Sequence, residues 1–160
     1  DYAPALPHYT SDITRTWPAN GKFTPRQAEL YDAVLAAQQA GIAAVKPGAR
    51  LRDIEAACAR ELDARGFGEF VRHGACHYIG LEVHDVGKGD ELVPGVCFTV
   101  EPGLYEEATN IGIRIEDVVC VTKNGCEVLT ADVPKERAAI EQRVQSEGVL
   151  DWVVRRHKQQ

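Results

Sequence analysis

Ile111-Gly112-Ile113-Arg114-Ile115-Glu116-Asp117-Val118-Val119-Cys120-Val121 is the stretch on which the fold turns. Side chains alternate across a strand, so Ile111, Ile113, Ile115, Val119 and Val121 face one way and Arg114 and Glu116 face the other. A second such stretch lies just upstream. Val96, Phe98 and Val100 share one face there, leaving Cys97, Thr99 and Glu101 on the opposite one. Downstream, Asn124-Gly125 predicts a type I′ turn joining the first strand to a partner over 127–130. The pattern is that of an antiparallel sheet with one apolar face.

Helices precede this sheet. Thr24-Pro25-Arg26-Gln27 carries a Thr cap, proline at the first helical position and Gln three residues after the cap, which predicts a helix start. Leu30, Tyr31, Val34, Leu35, Ala37, Ile42 and Val45 then form a broad apolar stripe, and Lys46-Pro47-Gly48 ends it. A second helix is predicted over 51–65, with Leu51, Ile54, Cys58 and Leu62 on one face and Gly66 as its stop. A strand is expected over 11–17, where β-branched and aromatic residues alternate with polar ones. A last helix opens after Pro134, roughly 135–146, followed by an apolar and basic tail over 149–154. The fold class is α+β, in a single domain.

Composition narrows the function. Of 160 residues, 44% are hydrophobic, enough for a real core. The net charge of −6 leaves no electrostatic footprint for nucleic acid or an anionic membrane; the one basic cluster is Arg155-Arg156-His157-Lys158. No apolar run is long enough to span a bilayer. Five cysteines, odd in number and without a C-x-x-C pair, argue against a disulfide framework or structural zinc and for a reducing, cytoplasmic setting.

Chemistry concentrates where ionisable groups interrupt apolar strands, because burying such groups without partners is costly. The segments are Asp12 within Thr10–Thr16, with Asp1 eleven residues earlier; His73-Gly74-Ala75-Cys76-His77 running on to Val83-His84-Asp85-Val86-Gly87; and Thr99-Val100-Glu101-Pro102-Gly103-Leu104-Tyr105 with Gly112–Asp117. Singly, each has an ordinary reading: a capping Asp, a hydrogen-bonded core His, a turn at Glu-Pro-Gly. Together, three histidines within twelve residues and two inward-facing glutamates make an expensive arrangement for a purely structural sheet.

These motifs resemble those of the pita-bread metallopeptidases, the family of aminopeptidase P, prolidase and methionine aminopeptidase. The likeness is greatest to the proline-specific branch, through Ser11–Thr16 followed by Asn20-Gly21-Lys22-Phe23, the H-G-x-x-H…V-H-D-V-G block, T-V-E-P-G-L-Y and G-I-R-I-E-D. The resemblance implies the second half of a pita-bread catalytic domain, helices packed on a curved, mainly antiparallel sheet. Residues 1–160 would be that half, with the upstream half on a separate segment and a homo-oligomer as the expected assembly. It further implies that Asp1, Asp12, His77, Glu101 and Glu116 bind two divalent metals. Four carboxylates in one pocket could not all stay ionised unaided, and two dications would neutralise them. Such a hard donor set suits Mn²⁺, with Co²⁺ or Zn²⁺ accepted. Cys76 beside His77 points to the opposite face and reads as a small buried thiol.

By the same resemblance Glu101 is both ligand and general base, His84 holds the substrate carbonyl or oxyanion, and His73 lines the pocket for the proline ring. Arg114 either orients Glu116 or meets a substrate carboxylate. Lys88 reads as an exposed loop lysine. The implied function is hydrolysis of the Xaa-Pro bond of proline-containing peptides, by an Xaa-Pro dipeptidase or aminopeptidase. The alternatives are a non-catalytic pita-bread binding module, which intact ligand positions disfavour, and phosphotriester hydrolysis at the same site.

Overall fold

The computed structural model describes residues 1–5, 7–87, 91–146 and 148. Two long helices lead, α1 (Pro25–Ala44) and α2 (Leu51–Ala64), followed by strands β1 (Cys97–Val100), β2 (Gly103–Glu106), β3 (Ile111–Arg114), β4 (Asp117–Val121) and β5 (Cys126–Val128), and then α3 (Arg137–Gln145). The α+β reading stands. No helix among the described residues is long and apolar enough to cross a membrane.

The capping box at α1 forms as its sequence predicts: the Gln27 amide donates to Thr24 Oγ1, and the Thr24 amide donates to the Gln27 side chain. Leu30, Tyr31, Val34 and Ala37 of α1 join Ile54, Cys58 and Leu62 of α2. Together they pack on Phe98, Val100, Leu104, Ile113, Ile115, Val119 and Val121 from the sheet, so the core is a helix layer on one sheet face. The helices approach closely at Gly41, where a Cβ would lie 2.5 Å from Cys58 Sγ and 3.0 Å from Val100 Cγ1.

The strands form two ladders, β1-β4-β5 and β2-β3. One register runs through both: Val100 pairs with Asp117 at the end of one, and Gly103 with Arg114 at the start of the other. The single strand expected over 111–121 is therefore interrupted at Ile115-Glu116, opposite Glu101-Pro102. Proline explains the break. At this rung the Ile115 amide still donates to the Pro102 carbonyl (3.5 Å), but Pro102 has no N–H to return. Glu101 and Glu116 stand opposite each other at the interruption, and their amides turn outward, to the carbonyls of Ala75 (2.8 Å) and Thr14 (3.1 Å).

Other expectations need correction. Residues 11–17 are extended but touch neighbours through isolated bridges, Tyr2–Ile13 and Thr14–Glu116. Side-chain hydroxyls replace ladder bonds there: Thr16 Oγ1 donates to the Arg114 carbonyl (2.9 Å) and accepts from the Arg114 amide (3.2 Å). The Asn124-Gly125 turn is not type I′, since neither residue has a positive φ. Thr122 donates to the Gly125 carbonyl (2.9 Å), so Lys123-Asn124 forms the loop and β5 begins at Cys126. The last helix starts at Arg137, because Lys135 serves elsewhere: its carbonyl accepts from Tyr31 Oη and its ammonium binds Asp117. Residues 149–154 and Lys88 lie outside the described residues.

Candidate metal centre

Four segments lie side by side at the ladder break. Thr14 bridges to Glu116 on one side, and Tyr78 bridges to Phe98 of β1 on the other. Asp12 therefore reaches the break from one flank and His77 from the opposite one, with Glu116 and Glu101 between them.

Asp12, His77 and Glu116 each offer a ligand atom, all within 4.8 Å of one another. His77 Nε2 lies 3.6 Å from Asp12 Oδ2, 3.8 Å from Glu116 Oε1 and 3.3 Å from Glu101 Oε1. Asp12 and Glu116 are buried, and His77 and Glu101 are partly so. The fifth residue singled out from the sequence, Asp1, stands apart. Its side chain is 55% exposed and accepts a 2.5 Å hydrogen bond from Arg114 Nη2. Arg114 Nε reaches 3.8 Å from Glu101 Oε2 and donates to Thr14 Oγ1 at 3.1 Å, so one guanidinium links Asp1 to the cluster.

Crowding of acids in low dielectric shows in their proton affinities. Burial, and then the neighbouring Glu116 charge, push Glu101 up to about 7. Burial and Glu116 likewise raise Asp12. For His77 burial works downward, but the neighbouring Glu116 and Glu101 carboxylates and a hydrogen bond from its ring to the Tyr78 carbonyl leave it raised.

Whether this pocket suits a cation can be judged from its own atoms. Asp12 Oδ1 is buried and has no hydrogen-bond partner, a carboxylate oxygen with acceptor capacity and nothing donating to it. Three further donors converge beside it. An orphaned acceptor among carboxylates and one imidazole fits a hard or borderline dication, and the absence of thiolate leaves zinc unselected.

The remaining histidines flank the cluster. The His84 ring stacks edge-on against His77 with centroids 4.3 Å apart, and His84 is exposed. Asp85 fixes the loop that carries it: its carboxylate accepts from the amides of Val86 (2.7 Å) and Leu81 (2.9 Å), and these bonds, Val86's foremost, lower its pKa against the opposing effect of burial. His73 Nε2 shares a 2.8 Å hydrogen bond with Tyr105 Oη.

Sequence reasoning missed several residues that hold this arrangement. Thr14 Oγ1 donates to Glu116 Oε2 at 2.7 Å. The His77 amide donates to Thr99 Oγ1 at 3.2 Å, and Tyr105 orients His73. A signal existed for the threonines: Thr14 follows Asp12 by two, and Thr99 precedes Glu101 by two, so each shares a face with a ligand candidate. Nothing local marked Asp117, which is fully buried behind Glu116. It accepts from Arg15 Nη2 (2.7 Å), Thr130 Oγ1 (2.7 Å), Gln38 Nε2 (2.7 Å) and Lys135 Nζ (2.6 Å).

Comparison with known proteins agrees with this architecture. The chain is 44% identical over 167 residues to Xaa-Pro aminopeptidase 2 of Streptomyces coelicolor, a match that covers 83% of this chain and 36% of that protein. It is 38% identical over 164 residues to the Xaa-Pro aminopeptidase of Escherichia coli K12, covering 83% and 37%. Among solved structures it superposes on the Pseudomonas aeruginosa aminopeptidase PepP with a TM-score of 0.82 at 38% identity, over 89% of this chain and 40% of that one. For the prolidase of Pyrococcus horikoshii OT3 the TM-score is 0.74 at 37% identity, over 81% and 38%. The chain thus spans somewhat more than a third of the length of the relatives it matches. With residues 1–123 matched by the profile of metallopeptidase family M24, and with the fold and the acidic cluster in agreement, the chain belongs to that family.

Proposed function

We propose that this chain carries the metal-binding half of a peptidase that hydrolyses the bond preceding proline, with Asp12, His77, Glu101, Glu116 and Asp1 as ligands of two divalent ions. The observation that carries this reading is the convergence of Asp12, His77 and Glu116 around an unpartnered buried carboxylate oxygen. The Xaa-Pro aminopeptidase and prolidase relatives support the substrate class. Manganese is the proposed metal, on the hardness of the donors.

When bound, the ions supply an activated water near neutral pH and polarise the scissile carbonyl. The chain's own residues do the rest. Glu101, beside His77 at the centre of the cluster, would accept a proton from the attacking water and release it to the departing proline nitrogen. Thr14 and Thr99 hold the ligands against the pull of the cluster, Thr14 through Glu116 and Thr99 through the His77 main chain. His84, exposed beside His77, is placed to donate to a developing oxyanion. His73 and Tyr105 form a wall for the proline ring. Arg114 orients Glu101 and Asp1.

Residues 1–160 are read as the second half of the pita-bread domain, supported by the limited share of each relative that they cover. A cytoplasmic setting is retained from the cysteine pattern, and a homo-oligomer remains the expected assembly.

The test is hydrolysis of an Xaa-Pro dipeptide and an Xaa-Pro-Pro tripeptide by the protein with measured Mn²⁺ content. It should be run on residues 1–160 alone and with the upstream half added in trans. Cleavage that follows metal content and needs Glu101 is the expected result. Full cleavage by metal-free protein would overturn it, and activity of residues 1–160 alone would overturn the half-domain assignment.

A further inference from the structure

Cys97 and Cys120 face each other directly across β1 and β4. The kind of rung they occupy follows from the hydrogen bonds around it. The next rung is bonded, with the Val121 amide donating to the Val96 carbonyl at 2.9 Å. The main chain of Cys97 turns away from β4, its carbonyl accepting from the Ile79 amide, and Thr99 likewise donates to the His77 carbonyl at 2.9 Å. Bonded and non-bonded pairs alternate along an antiparallel ladder, so Cys97 and Cys120 occupy a non-hydrogen-bonded rung. At such rungs Cα atoms lie about 4.5 Å apart, inside the roughly 4.4–6.8 Å span that a disulfide accepts. Both thiols are free, share a face and are partly exposed.

From this register, exposure and shared face we propose that Cys97 and Cys120 are a reversible oxidation site, a cross-strand dithiol that closes to an intramolecular disulfide under a hydroperoxide. The other cysteines are placed differently. Cys126 lies on the helix side, its Sγ donating to the Ile42 carbonyl at 3.7 Å. Cys58 is buried beneath Gly41, and burial pushes its thiol up to about 12. Cys97 is less shielded, held up to about 11 by burial and by the thiol of Cys120 against it.

The chemistry balances with the oxidant named. One thiolate attacks a peroxide oxygen; the S–O bond forms, the O–O bond breaks, and the departing hydroxide takes a proton to leave as water. The second thiolate attacks that sulfenic sulfur; the S–S bond forms, the S–O bond breaks, and a second water leaves. Two thiols are oxidised by two electrons and hydrogen peroxide is reduced to two waters. A dithiol reductant reverses the step by exchange through a mixed disulfide. The bond would tie the same two strands that present Glu101 and Glu116, from a rung about 13 Å along the ladder from those carboxylates.

The test exposes the full chain to a hydrogen peroxide series in chelated buffer and then alkylates, digests and maps each cysteine by mass spectrometry before and after dithiothreitol. The alkylatable fractions of Cys97 and Cys120 should fall together by about tenfold, return with the reductant, and coincide with a Cys97–Cys120 cross-linked peptide. In C120S, which exchanges only the sulfur for oxygen, the reductant-reversible loss at Cys97 should disappear, and circular dichroism checks that the variant folds. A cross-link at Cys58–Cys76 or between chains would overturn the proposal. So would loss at Cys97 that is independent of Cys120, or five cysteines unchanged across the series.

Discussion

Replacing Asp117 by Asn tests how the fold holds its ligand strand. Asp117 is fully buried, directly follows Glu116, and accepts four hydrogen bonds, two of them from cations. The substitution keeps the shape and removes the charge. If the new amide group takes the place of Oδ2, it points N–H at Lys135 Nζ and Gln38 Nε2. If it takes the place of Oδ1, Thr130 can rotate to accept from it, but it still opposes Arg15 Nη2. Both cations lose their counter-charge either way, and one of them also loses its acceptor, in a setting where the Arg15 and Lys135 side chains are only 7% and 18% exposed. Breaking a buried pair costs about 3–5 kcal/mol. Arg15 retains the carbonyls of Thr14, Glu116 and Val133 as acceptors, which places the expected loss near the lower end, about 3 kcal/mol. For a chain of this size that corresponds to a fall in Tm of about 6–12 °C.

Urea unfolding of D117N and the parent protein at pH 7 measures this directly. The pH profile gives a second reading. Burial works to raise Asp117, but hydrogen bonds from Lys135, Thr130 and Arg15 outweigh it and hold the carboxyl below its ordinary 3.8. A carboxyl lowered on folding stabilises above its unfolded pKa and loses that contribution as pH falls through the folded one. The difference between D117N and the parent should be constant from about pH 5 to 8 and shrink below about 3.8. A difference under about 1 kcal/mol at pH 7 would mean that the network is solvated and that the buried-pair reasoning fails.

Glu101, Asp12 and His77 all bind protons more tightly in the folded chain, so the metal-free protein should lose stability as pH rises from about 4.5 through 7, and saturating Mn²⁺ should flatten that slope; denaturation midpoints across pH with and without metal check it. Thr14→Val removes the donor to Glu116 and should weaken metal affinity by about 10–100-fold at little cost in helix content, as read by metal titration. Glu101→Gln should remove more peptidase activity than His84→Ala, whose loss is of order 10²–10³ in kcat; the reverse ranking in folded, metal-loaded variants would mean the roles are exchanged. Gly41→Ala should destabilise by about 1–3 kcal/mol through overpacking against Cys58 and Val100, and thermal unfolding that shows no loss would refute the close approach.

What the sequence disclosed and what it hid differ in range. The helix start at Thr24, the apolar stripe through Leu30 and Val34, and the face shared by Cys97, Thr99 and Glu101 are local patterns, and local patterns set the elements. The clustering of Asp12, His77 and Glu116 was foreseen through motif resemblance, since no spacing along the chain brings residues 12, 77 and 116 together. The Asp117 network was invisible for the same reason. Its partners Arg15, Gln38, Thr130 and Lys135 look like ordinary surface residues until the fold gathers them. The turn at Lys123-Asn124 slipped by one residue because the β4–β5 register prevailed over the local preference of Asn-Gly for left-handed backbone.

The ladder break lies between these two cases. Pro102 stands in the sequence immediately after Glu101, and a residue without an N–H cannot complete a bonded rung. Alternation alone made 111–121 one strand, because alternation describes faces and carries no information about donors. Counting donors splits it at Ile115-Glu116, beside a non-hydrogen-bonded rung at which the amides of Glu101 and Glu116 point away from each other toward the flanking segments. Thr14 and Ala75 take those bonds, and the same contacts bring in Asp12 and His77. Rung alternation thus connects strand geometry to site assembly, and Pro102 interrupts the ladder beside that rung. Pro102→Ala should restore the donor to the Ile115 carbonyl, strengthen the ladder and draw Glu101 and Glu116 into a regular strand. If the break is what positions the carboxylates, this variant keeps or gains thermal stability while losing metal affinity. If metal affinity is unchanged in P102A, the flanking bonds suffice and the proline is incidental.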